Sequence, residues 1–122
     1  VSPHNNNMAY DPKNSQVGDD ALADFIASEC EADLTTVPGV GPKTAEKLAA
    51  AGVSTTFQLI GKFLSFKGKD STTQEHCDAM WAWLNDAGVN SHRAGIVKAL
   101  AEKVNTYMSG IYDEASLAPG GK

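Results

Sequence analysis

Val37-Pro38-Gly39-Val40-Gly41-Pro42-Lys43-Thr44-Ala45-Glu46-Lys47-Leu48 is the stretch that decides how this chain is read. Two glycines flank one apolar residue, and a helix-forming run follows at once. Gly39 and Gly41 can adopt backbone angles that a side chain forbids. Pro42 suits the first turn of a helix, where its missing N–H costs nothing. The pattern predicts a tight hairpin running into a helix whose first N–H groups have no intrahelical partner. Such an N-terminus attracts anions, and phosphate is the usual one.

The segments on either side read as helix. Asp19 or Asp20 is placed to cap a first helix with Leu22, Phe25 and Ile26 on its apolar face. Thr35 or Thr36 begins a short turn into the hairpin, and Leu34 and Val37 supply apolar anchors ahead of it. Residues 44–51 form the hairpin's second helix, ended by Gly52. Ser54 or Thr55 caps a third helix running to Phe66. That helix is apolar on two sides, Phe57, Ile60 and Leu64 against Leu59, Phe63 and Phe66, so it needs two partners. A fourth helix spans about 74–87, with Trp81 and Trp83 on different sides, and Gly88 stops it. Ser91 is placed to cap a last helix in which Ile96, Val97, Leu100, Val104, Tyr107, Met108 and Ile111 recur at helical spacing. No strand of credible length appears. The expected fold is all-α: a compact five-helix domain containing a helix-hairpin-helix motif.

Domain bounds follow from composition. Residues 1–17 are polar and without period, with Pro12 and several Asn, and read as a flexible arm; residues 1–7 precede Met8 and read as an added remnant before a native start. The folded domain is expected over 18–112. Residues 113–122 end in Pro-Gly-Gly-Lys and read as a flexible tail. No apolar run approaches the roughly 20 residues that a membrane span requires, so membrane insertion is not expected.

Net charge is −5 over 122 residues, an unusual balance for a nucleic-acid binder. Its distribution is uneven. Residues 17–34 carry Asp19, Asp20, Asp24, Glu29, Glu31 and Asp33 and no Lys or Arg, whereas residues 35–70, which include the hairpin, sum to +3. Lys43, Lys47, Lys62 and Lys67 form the basic side of the chain. Cys30 and Cys77 form no CxxC pair, which points to reduced thiols in a nuclear or cytosolic setting. His76 beside Cys77 is no catalytic pair, because adjacent helical side chains diverge. No metal-ligand spacing, phosphate-loop lysine motif or nucleophilic set appears, so neither an enzyme nor a metal or other cofactor is expected.

The order of runs is more specific than the hairpin alone. Gly39-Val40-Gly41 is followed by Glu46-Lys47-Leu48, Gly52-Val53, Ile60-Gly61-Lys62-Phe63-Leu64, Trp83-Leu84-Asn85-Asp86 and Gly88-Val89-Asn90-Ser91. In this order they resemble the barrier-to-autointegration factor family of chromatin proteins over residues 18–112. The resemblance implies a SAM-like helical fold and a nuclear homodimer that binds double-stranded DNA without sequence preference and bridges two duplexes. It assigns phosphate contacts to the N–H groups of Gly39 and Gly41, with Val40 at the tip, and to Lys47. It adds a second phosphate site at the start of the last helix, at Asn90, Ser91 and His92 with Arg93 adjacent. Lys43 joins the basic grouping on the hairpin side. Gly61, Leu64 and Trp83 fall at the family's dimer contact, where a groove receives nuclear-envelope or chromatin proteins.

Three departures stand against a simple transfer. The first helix begins with Asp19 and Asp20, which repel phosphate. A lysine of the family is replaced by His92, and the loop after Phe66 is longer and carries Lys67 and Lys69. Two functions of different class follow: a sequence-independent DNA-bridging protein, or a helical protein-interaction module that keeps the fold with weak or no DNA binding.

Overall fold

The chain folds into five α-helices, two of them started by side-chain caps and two ended at glycines. A computed structural model describes residues 10–117, and places α1 at Asp19–Ala27, α2 at Pro42–Ala50, α3 at Thr56–Ser65, α4 at Thr73–Asp86 and α5 at Arg93–Asn105. Short 3-10 turns lie at Pro12–Asn14, Leu34–Thr36 and Glu114–Ser116, and there is no strand among the described residues. The all-α, five-helix expectation therefore stands. Thr55 caps α3 through its side chain. Thr72 and Glu75 form a reciprocal capping box on α4. Gly52 and Gly88, both at positive φ, end α2 and α4 as their positions predict.

α5 is the central element. Ile96, Val97, Ala99, Leu100 and Ala101 are wholly buried, and α1, α3 and α4 pack around it. Leu48 from α2, Leu59 and Phe63 from α3, and Met80 and Leu84 from α4 complete the core. Each such side chain contributes about 1.5–3 kcal/mol by leaving water. On α3, Leu59 and Phe63 face this core, while Phe57 on the second apolar side is 56% exposed and Ile60 and Leu64 are half-buried.

Several boundaries differ from expectation. Gly18, not Asp19 or Asp20, is the N-cap residue of α1, and the two aspartates fill its first turn. α5 starts after His92 rather than at Ser91. It ends at Asn105, whose side-chain oxygen accepts from the N–H groups of Gly110 and Tyr112 and so turns the chain away. Tyr107 and Met108, expected on the apolar stripe, lie beyond that turn and are exposed.

The arm expected over 1–17 and the tail expected over 113–122 are both packed where they are described. Tyr10 is buried: its N–H donates to Asp78 at 2.8 Å, its carbonyl accepts from Gln74 at 2.8 Å, and its hydroxyl meets that of Tyr112 at 2.7 Å. Burial is the main reason that its phenol is driven far above the ordinary tyrosine range. Pro12–Asn14 packs on α5, and Val17 sits against Gly95. At the other end Leu117 is buried and the Asp113 N–H donates to Thr73. The added remnant read at 1–7 and the last residues of the tail, 118–122, lie outside the described residues. Among the described residues no helix is long and apolar enough to cross a membrane.

One buried contact had no counterpart in the sequence reading. Lys103 on α5 is fully buried, and its Nζ donates to the carbonyls of Phe25 at 2.6 Å and Ser28 at 2.5 Å while lying 4.7 Å from the Phe25 ring centroid. It caps the C-terminal end of α1, where the helix dipole is negative.

Candidate nucleic-acid interface

Gly39 takes φ +93°, the conformation the hairpin requires, and it touches α5. A Cβ there would lie 3.0 Å from Ile96 Cγ1 and 3.2 Å from His92 Cβ. The hairpin apex is thus seated on the first residues of α5. Gly41, in contrast, is ordinary extended backbone at φ −96° with open space around it, so its conformation does not require glycine. Val40 is not at the tip. Its side chain is buried in the core and its N–H donates to the Val37 carbonyl at 3.0 Å, which removes it as a phosphate contact.

α2 and α5 both begin without a side-chain cap. In α2 the first intrahelical bond runs from Ala45 N–H to Gly41 O, leaving the N–H groups of Lys43 and Thr44 in the first turn without acceptors. In α5 it runs from Ile96 N–H to His92 O, leaving those of Arg93, Ala94 and Gly95. Gly39 and Gly41 N–H likewise meet no protein acceptor among the described residues. The hairpin that leads into α2 thus touches the residue that precedes α5, so the two uncapped helix starts, each positive by its dipole, follow from one contact.

The side chains that line the cavity at this junction are neutral or basic, and on α2 the exposed Glu46 lies between two lysines. Lys43 and Lys47 are exposed. The Lys47 stem reaches the turn before α5, its Cδ 3.7 Å from where a Gly88 Cβ would stand. Asn90, Ser91 and His92 are exposed, and Ser91 Oγ lies 3.2 Å from His92 Nδ1. His92 holds a left-handed backbone at φ 61°, uncommon for a residue with a side chain, and so turns the chain into α5 without a cap. Arg93 is half-buried, stacked 4.4 Å from the Trp81 ring centroid, with Nη1 donating to the Val89 carbonyl at 2.7 Å and Nε buried without a partner. Its head is held against the protein, so it contributes positive charge more than a free fork. A polar cavity of about 310 Å³ lies here, lined by Asn90, Ser91, His92, Arg93, Ala94 and Trp81 together with Asn14 and Gln16.

The residues expected together at the phosphate site are thus brought together, apart from Val40. Those expected at a dimer contact form a separate face. Gly61 is exposed with nothing within 4 Å of a Cβ, and Leu64 and Trp83 are half-buried at the core's edge. Lys62 Nζ lies 5.3 Å from the Trp83 ring centroid and 5.8 Å from that of Phe66.

Neither His76 nor Cys77 belongs to the surface. His76 stacks on Phe63 with centroids 4.0 Å apart, and its Nε2 bonds the Phe63 carbonyl at 2.7 Å. Burial pushes the Cys77 thiol up to about 12, which leaves it protonated near neutral pH. No group of three or more metal-ligating side chains occurs among the described residues.

Comparison with known families bears on this junction directly. Residues 21–62, from α1 into α3, match the model of the SAM-like helix-hairpin-helix tandem family. The five-helix domain thus contains a helix-hairpin-helix motif. The matched span contains the hairpin, its flanking turn and α2, and stops before the second uncapped helix, α5. No curated protein and no solved structure matches the chain. The likeness to barrier-to-autointegration factor therefore rests on the sequence runs given above.

Proposed function

We propose that the protein binds double-stranded DNA without sequence preference, through backbone phosphates held at the junction of the hairpin and α5. The observation that carries this reading is the seating of Gly39 on His92 and Ile96, which joins two uncapped helix N-termini into one surface flanked by Lys43 and Lys47. Backbone N–H groups and lysines fix a duplex by its phosphates and carry no base information. The helix-hairpin-helix match supports nucleic acid as the ligand class. The acidic first turn of α1 is not among the residues lining the α5 cavity, so it lowers long-range attraction without occupying that site.

The finer reading is DNA bridging and chromatin organisation by a nuclear homodimer, paired through Gly61, Leu64 and Trp83. Its support is the runs that resemble barrier-to-autointegration factor and the second side of α3, which this chain alone leaves partly open. A groove at such a dimer would suit a nuclear-envelope or chromatin protein. The alternative, a protein-interaction module, draws support from the exposed Phe57, Tyr107 and Met108 and from the acidic α1.

Electrophoretic titration of two unrelated duplexes at low and moderate salt tests the reading. Similar affinities for both, with a steep loss on adding salt, are expected. No binding at low salt would remove it. Light scattering tests the pairing: wild type should have twice the monomer mass and Gly61→Phe the monomer mass. An unchanged mass in that variant would exclude the α3 face.

A further inference from the structure

We propose that the N-terminal strap, residues 10–17, completes the phosphate site, with one backbone phosphate of the duplex seated in the α5 cavity between Asn14 and Gln16 on the strap and Asn90, Ser91 and His92 on the other side. This rests on the DNA reading, and extends it to residues that precede both the matched family span and the runs of resemblance.

The strap is held at both ends. Tyr10 is fixed by Asp78, Gln74 and Tyr112, whereas Val17 packs so closely on α5 that a Cβ at position 95 would lie 2.5 Å from Val17 Cγ2. Glycine at this buried helical position is what lets the strap lie there, although glycine costs a helix interior about 1 kcal/mol relative to alanine. Asn14 and Gln16 hang between these anchors. Both are exposed, and neither side-chain amide has a hydrogen-bond partner among the described residues. Each amide carries two N–H donors. They face a cavity that also presents Ser91, the His92 ring and the Arg93 charge, and none of its eight lining residues is acidic. Its volume, about 310 Å³, accommodates a phosphate group with its ester oxygens. Continuity with the hairpin through Gly39 selects a nucleic-acid backbone as the source of that phosphate, because Lys43 and Lys47 then face the neighbouring phosphates.

The test is the affinity of a fluorescently labelled duplex for wild type and for Asn14→Ala/Gln16→Ala. Both positions are exposed, so the melting temperature should not move. Affinity should fall about tenfold, as expected for lost hydrogen bonds to a charged group. The slope of log affinity against log salt should stay unchanged, since no cation is removed. Gly95→Ala, which drives Val17 off α5, should give a comparable loss, and Val17→Ala in that background should recover part of it. Wild-type affinity in Asn14→Ala/Gln16→Ala, alongside loss in Lys43→Glu/Lys47→Glu, would overturn the strap's role and leave the DNA reading intact. If wild type binds no duplex, that reading fails and the duplex falls as the occupant. Titration with inorganic phosphate then decides the pocket itself: saturable shifts in the Asn14 and Gln16 side-chain amides support an anion site, and their absence overturns it.

Discussion

The end of α1 and the hairpin before α2 both meet α5, and the two junctions are treated in opposite ways. At the α1 end, three turns along α5, the Lys103 ammonium is buried in order to satisfy the carbonyls of Phe25 and Ser28. At the α2 end, where Gly39 meets His92, first-turn N–H groups of two helices are left without acceptors. Unmade hydrogen bonds are costly where water is excluded, roughly 1–3 kcal/mol per group, and cheap where water or a ligand can reach. The chain therefore closes the first junction with a cation and leaves the second open beside exposed lysines. Of the other helices, α3 and α4 are capped by Thr55 and Thr72, while α1 starts at Gly18 without a side-chain cap but sets Asp19 and Asp20 in its first turn, where negative charge suits the helix's positive end. That contrast is the physical argument for reading the open junction as a binding surface.

The contrast is sharpest at its closed side. Lys103→Ala leaves two carbonyls without their donor and opens a cavity, and should cost about 3–4 kcal/mol in urea unfolding. Duplex affinity of the folded protein should be unaffected; a loss below about 1 kcal/mol would mean that Lys103 does not hold α1. On the open side, Lys43→Glu/Lys47→Glu should lower duplex affinity about 100-fold, or about 2.7 kcal/mol. Stability should shift by no more than about 0.5 kcal/mol, because both side chains are exposed. Gly39→Ala acts on both properties. The left-handed backbone and the 3.0 Å approach to Ile96 should cost about 1–2 kcal/mol in unfolding, and affinity should fall as the hairpin lifts from α5.

The smallest effect concerns a group remote from both junctions. Burial, partly offset by the bond to the Phe63 carbonyl and aided by Lys67, holds the His76 pKa below its ordinary value. The unfolded ring protonates near pH 6.5 while the folded ring stays neutral, so the unfolded state binds more protons there. Stability is full above pH 6.5 and should decline as pH falls below it towards the folded value. Urea unfolding at pH 7.5 and 5.5, with a ring-proton NMR titration, checks this. A His76 ring titrating at 6.5 or above in the folded protein would contradict it.

Local chemistry made the hairpin helices readable. Gly52, Thr55 and Gly88 stop or cap helices through bonds within a few residues, and such signals survive in sequence. Three features had no local signal. Tyr10 is fixed by partners 64–102 residues away, so its polar neighbourhood reads as an arm. Lys103 lies on the apolar side of α5, but a lysine there reads as surface until α1's carbonyls are placed beside it. α5 is entered through a left-handed turn at His92 with no side-chain cap, so the more orthodox Ser91 drew the assignment. At the candidate site, Lys43, Lys47, Gly39 and Asn90–Arg93 were named from the hairpin and the resemblance, and the fold sets Gly39 against His92 and the Lys47 stem against Gly88. Val40 was misplaced, because an apolar residue between two glycines reads as an exposed tip when it is in fact the hairpin's anchor in the core.

Amide chemical-shift mapping during titration with a short duplex at low salt tests the open junction most directly. The N–H groups of Gly39, Gly41, Lys43, Thr44, Arg93 and Ala94 should shift together and saturate, while the capped amides Gln58 on α3 and Glu75 on α4 stay in place. Shifts centred on α1 or α3 with the junction unmoved, or no shifts at all, would contradict phosphate binding there.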